Sequence, residues 1–112
     1  MDLVSRRPRR DEVWLVALDP VIGAEIHKTR PCVVISPDEL NDKLLTVMIA
    51  PMTSTIRPYP FRVNLTFQSK AGQVALDRSR SVSMARMIRK LGTVSAKAAG
   101  EISTLLVEMF QR

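Results

Sequence analysis

Between residues 61 and 67 the chain alternates without exception, Phe61, Val63, Leu65 and Phe67 against Arg62, Asn64 and Thr66. Successive side chains of a strand point to opposite faces, so this period of two predicts a β-strand with one dry face and one wet face. A dry face requires neighbouring strands around it and a core beneath it. The chain supplies further short β-forming runs, each cut by proline or a turn signal: 12–18 stopped by Asp19-Pro20, 32–36 stopped by Pro37-Asp38, and 44–50 before Pro51.

Beyond 67, Lys70-Ala71-Gly72 is expected to turn the chain into a strand over 73–77. A short strand over 81–83, a helical turn over 84–90 and a last strand over 91–94 follow. Ser95 reads as the N-cap of a helix over 96–111, in which Ile102, Leu105, Leu106, Met109 and Phe110 recur at intervals of three and four; Gly100 weakens that helix without stopping it. Many short strands with one terminal helix predict a mainly β fold with α, a small, strongly curved β barrel or half-barrel capped by the helix. With 112 residues there is room for one core, so residues 11–112 are expected to form a single domain. Residues 1–10, with Arg6, Arg7, Arg9 and Arg10, read as a flexible basic arm.

Hydrophobic residues make up 46% of the chain and charged ones 25%, which favours a folded globule over disorder. A formal charge of +6 points to an anionic partner, nucleic acid first and an acidic protein second, because basic surfaces gain affinity by releasing counterions from a polyanion. No apolar run approaches the ~20 residues needed to span a bilayer, so no membrane association is expected. The single cysteine, Cys32, excludes an intrachain disulfide and reads as a buried structural thiol, in keeping with a cytoplasmic location. There is no Gly-rich phosphate loop, no nucleophile elbow and no metal-ligand spacing, and no cofactor is expected.

Chemistry-bearing groups gather where the predicted strands end. Gly23-Ala24-Glu25-Ile26-His27-Lys28-Thr29-Arg30-Pro31 leads into one strand, and Ala50-Pro51-Met52-Thr53-Ser54 closes another. Metal-free RNA cleavage requires three things: removal of a proton from the ribose 2′-OH, stabilisation of a phosphorane, and a proton for the leaving 5′ oxygen. Arg30 suits the second task, because a guanidinium is always charged and grips phosphate oxygens bidentately. Glu25 and His27 are the candidates for proton transfer, and Thr53 can donate a hydrogen bond to a phosphate oxygen. Structural readings stand beside these: Arg30 and Glu25 as a loop staple, His27 as an exposed loop residue, and Thr53 with Ser54 as turn residues capping a strand.

The ordered series Asp11-Glu12-Val13-Trp14, Leu18-Asp19-Pro20, Thr29-Arg30-Pro31, Ala50-Pro51-Met52-Thr53-Ser54, Tyr59-Pro60-Phe61-Arg62-Val63 and Lys90-Leu91-Gly92 resembles the MazF/PemK toxins of bacterial toxin–antitoxin systems. The resemblance implies a compact SH3-like (PemK/CcdB-like) β barrel with a C-terminal helix. It implies a homodimer that cleaves single-stranded RNA without a metal, leaving a 2′,3′-cyclic phosphate and a 5′-hydroxyl, and that an acidic cognate antitoxin neutralises. Carried over by motif, Arg30 and Thr53 are the catalytic pair, assisted by Glu25. The loops 19–29 and 53–60 would bind RNA, with Lys28, Thr29, Ser54, Thr55 and Arg57 in them and Arg80 beyond. The family commonly carries Asp-Gln-x-Arg-x-x-Asp where this chain has Asp77, Arg78, Arg80 and Ser83. A catalytically weakened paralogue is one alternative, resting on the missing charge at Ser83. A non-enzymatic gyrase poison sharing the barrel fold is the other.

Overall fold

The computed structural model describes residues 7–18 and 28–112. Its strands are β1 (Glu12–Ala17), β2 (Thr29–Val34), β3 (Thr46–Thr53), β4 (Arg62–Phe67), β5 (Lys70–Ala75), β6 (Arg80–Ser83) and β7 (Met87–Thr93). A one-turn helix, α1 (Asp38–Asn41), precedes β3, and α2 (Ala96–Phe110) ends the chain. Single 3-10 turns, Leu76–Arg78 and Met84–Arg86, flank β6.

The strands pair antiparallel in the order β4-β5-β3-β2-β1-β7, with β6 also on β3. The bend of the sheet is built into β3. Along one edge its residues 46–49 pair with β6 and its residues 52–53 with β5, while the other edge pairs with β2. One strand thus belongs to two sheets, and the result is a half-barrel closed by α2. Pro51 lies inside β3, although a strand ending at residue 50 is the sequence expectation. The Met48 carbonyl accepts from the Ile35 N–H on the β2 edge, so the alternating backbone aims the Pro51 nitrogen at the opposite edge. There β6 has ended at Ile49 and β5 begins at Met52, so the absent N–H breaks no ladder.

The hairpin β4–β5 turns at Gln68 and Ser69, both at positive φ (50° and 66°), and not at 70–72. Two positive φ values in a two-residue loop match the twist of the flanking strands. Lys70, Ala71 and Gly72 are strand residues.

β1 and β2 are buried on both faces. Val13 and Val33 join Ala50, Val63, Val74 and Leu76 beneath Ala98 and Ile102 of α2, while Trp14, Val16, Cys32 and Val34 form a second cluster with Val47, Ile49 and Val82. Two-sided burial is why residues 32–34 read as a continuous apolar run. Ser95 caps α2 by accepting from the Ala98 N–H at 3.1 Å.

Of the basic arm, residues 7–10 fall within the described part. Arg7 donates to the carbonyls of Asn41 (2.7 Å) and Leu44 (3.1 Å), and Arg9 pairs with Asp38 and Asp42. These residues dock on α1, which the proline-stop reading of Pro37-Asp38 overlooks. Asn41, fully buried, ties that turn to Ser36.

Candidate active site

Arg30 stands second in β2 and Thr53 last in β3. The paired register between these strands ends at Cys32↔Pro51, and Arg30 and Thr53, each two residues beyond it, line the same clefts. Two clefts meet at this pair, sharing Arg30, Thr53 and Thr55. The first, about 320 Å³, runs past Pro51 to Arg57, Tyr59, Arg62 and Arg78. The second, about 480 Å³, runs past Met52 and Ser54 to Phe67, Gln68, Lys70 and Leu91.

The Thr53 Oγ1 accepts from the Thr55 N–H at 3.1 Å. That is the turn-capping role expected of a Thr-Ser pair, and it leaves the hydroxyl proton free to be donated. Structural and chemical roles therefore coexist at Thr53. The loop that follows is pinned by a residue the sequence reading leaves without a role. Gln73, buried on β5, accepts from the Arg57 N–H (3.1 Å), donates to the Arg57 carbonyl (2.8 Å) and donates to Asn64 Oδ1 (2.8 Å). An amide inside the apolar stretch 72–76 is the signal that could have revealed it.

Arg62 donates from Nε and Nη2 to the two carboxylate oxygens of Asp77, at 2.6 and 3.1 Å, and its guanidinium lies 4.9 Å from the Tyr59 ring centroid. Hydrogen bonding to Arg62 holds the Asp77 carboxyl below the usual carboxylate range. Cys32 is fully buried, and desolvation pushes its thiol up to about 12, which removes it as a nucleophile.

Thr55 lines both clefts, Ser54 the second and Arg57 the first. Lys28 and Thr29 are exposed at the start of β2 but line neither cleft. Arg80 is also outside both: it donates to the Leu18 carbonyl at 3.2 Å, and Arg86 donates to the Ala17 carbonyl at 3.0 Å. Together they hold the end of β1. Glu25 and His27 lie outside the described residues. Ser83 pairs with Thr46 at the far end of β3 and caps the 3-10 turn by accepting from the Ala85 N–H. Seven residues, roughly 23 Å of strand, separate Thr46 from Thr53.

Among the described residues no three His, Cys, Asp or Glu side chains could hold a metal ion together, and no helix is long and apolar enough to cross a membrane.

Residues 9–110 match the family described as PemK-like, MazF-like toxin of type II toxin-antitoxin system. The chain belongs to this family. Endoribonuclease MazF9 of Mycobacterium tuberculosis is a relative, 34% identical over 108 residues, which cover 88% of this chain and 92% of that protein. The endoribonuclease toxin MazF of Escherichia coli K12 is 37% identical over 86 residues, 76% of this chain and 77% of its own. A crystal structure of MazF from Deinococcus radiodurans superposes with a TM-score of 0.78 at 26% identity, covering 95% of this chain and 98% of that one. The MazF/PemK fold expected from the motifs, a half-barrel with a C-terminal helix, is the fold observed.

Proposed function

We propose that this chain is the toxin of a toxin–antitoxin pair and acts as a metal-independent, sequence-selective endoribonuclease on single-stranded mRNA, which would halt translation and growth. The observation that carries this reading is that Arg30 and Thr53 both line two adjoining clefts, one of them rich in arginines. In this reading the Arg30 guanidinium holds the non-bridging oxygens of the scissile phosphate, and the Thr53 hydroxyl donates to one of them. The ribose 2′ oxygen, relieved of its proton with help from Glu25, attacks phosphorus. The bond to O5′ breaks, and O5′ takes up a proton. The products are a 2′,3′-cyclic phosphate and a 5′-hydroxyl, with no net redox change.

Relatives support an antitoxin partner. A MazE-MazF structure from Deinococcus radiodurans, 27% identical in sequence, superposes with a TM-score of 0.72. An acidic antitoxin tail suits the +6 chain, and the active toxin is a cytoplasmic homodimer. The test is incubation of the protein with long unstructured RNA in EDTA beside Arg30→Ala. Discrete cuts ending in cyclic phosphate and 5′-hydroxyl, lost in the variant, are expected; RNA left intact by the wild type overturns the reading.

A further inference from the structure

The arginines of the first cleft are unequally neutralised. Arg62 engages both carboxylate oxygens of Asp77 and covers Tyr59, so its charge is compensated and its side chain is only 5% exposed. Asp77, next to Arg78 in sequence, gives both carboxylate oxygens to Arg62. Among the described residues, Arg30, Arg57 and Arg78 enter no ion pair. All three line the same cleft of about 320 Å³.

We propose that Arg57 and Arg78 form a second phosphate subsite, which takes a backbone phosphate of the RNA adjacent to the one held at Arg30 and Thr53; this rests on the endoribonuclease reading. Both side chains leave well-fixed backbone. Gln73 holds the N–H and the carbonyl of Arg57, and Arg78 ends a 3-10 turn whose Leu76 carbonyl accepts from both the N–H and the hydroxyl of Ser79. The backbone of each arginine is thus anchored beside the cleft, and a planar guanidinium can grip phosphate oxygens bidentately. Met52, Phe67 and Leu91 line the other cleft, whereas the aromatic ring of the first, Tyr59, lies under the Arg62 guanidinium. The two sides thus divide the work: the Arg78 side suits sugar-phosphate and the Phe67 side suits a base.

The probe is a single-stranded oligonucleotide spanning a cut mapped with the wild type, or of mixed sequence if none is found, carrying 2′-O-methyl groups so that it cannot be cleaved. Its binding is followed by fluorescence anisotropy from 0.05 to 0.3 M salt. For single strands each neutralised phosphate contributes about 0.7 to the slope of log affinity against log salt. Arg78→Gln is expected to lower the slope by about 0.7 and to weaken binding about fivefold at 0.1 M salt. The double variant with Arg57→Gln lowers the slope further, Arg78→Lys largely preserves it, and Lys97→Gln, on exposed α2 outside the cleft, leaves it unchanged. In cleavage assays Arg78→Gln raises KM and leaves kcat unchanged. An unaltered slope in Arg78→Gln, or an equal drop in Lys97→Gln, overturns the subsite. Wild-type protein that binds with this charge dependence yet leaves RNA intact overturns the nuclease reading instead.

Discussion

Gly72 stands so close to Thr53 that a Cβ built on it would lie 2.7 Å from the Thr53 carbonyl oxygen. β5 can therefore approach the end of β3 only with glycine at this position, and the atom that a side chain would meet is backbone, which cannot swing aside. The position of Thr53 depends on an absent side chain on the neighbouring strand.

Gly72→Ala is expected to push Thr53 out of line with Arg30. The overpacking should cost about 1–3 kcal/mol of stability. RNA cleavage per folded molecule should fall by about tenfold or more, since small misplacements at a reacting centre are costly. Thermal melts together with single-turnover cleavage check this, and wild-type activity in a folded variant would refute it.

Gln73→Leu keeps the volume but removes the bonds to Arg57 and Asn64. A loss of about 1–3 kcal/mol is expected from the groups left unsatisfied. The Arg57 amide should exchange with solvent much faster while amides in β1 and β2 stay protected. Hydrogen exchange resolved by residue reads both.

The Asp77–Arg62 pair has a defined pH dependence. The folded carboxyl titrates below its ordinary value of 3.8 because Arg62 stabilises the charged form. Its contribution to stability is therefore fully present above pH 3.8 and is lost as the pH falls through the lower folded value. Asp77→Asn should lower the melting temperature relative to wild type at pH 7, and the gap should narrow progressively as the pH is taken below 3.8. A gap that stays constant across that range would rule out the linkage.

Ser83→Asp introduces the acid that the resemblance implies at this position. Because position 83 lies beside Thr46 and caps a 3-10 turn, the substitution should leave the cleavage rate within about twofold of wild type and preserve the cap, which aspartate also makes well. A large gain in rate would show that an acid at position 83 reaches the site.

Residues that carry chemistry were legible at the ends of predicted strands, and Arg30, Thr53, Thr55 and Arg57 do meet. Their supporting residues were not. Gln73 reads as one polar residue in an apolar strand, because its partners Arg57 and Asn64 lie on other segments of the chain. Arg80 reads as a free basic residue in the sequence, and its bond to the Leu18 carbonyl reaches a segment 62 residues away. The turn at Gln68-Ser69 has no glycine to announce it, whereas Gly72 suggests a turn and instead serves close packing.

Local chemistry alone determined the strand over 62–67, the helix capped by Ser95, the basic charge and the two motifs around Arg30 and Thr53. Periodicity, capping and charge are properties of neighbouring residues, so they survive in a linear string. Only the tertiary structure decided that β3 runs through Pro51, that Arg30 and Thr53 line the same clefts, and that Asp77 pairs with Arg62 and not with Arg78 beside it. Those outcomes depend on strand register and on which groups compete for one carboxylate, and both are settled by contacts between segments far apart in the chain.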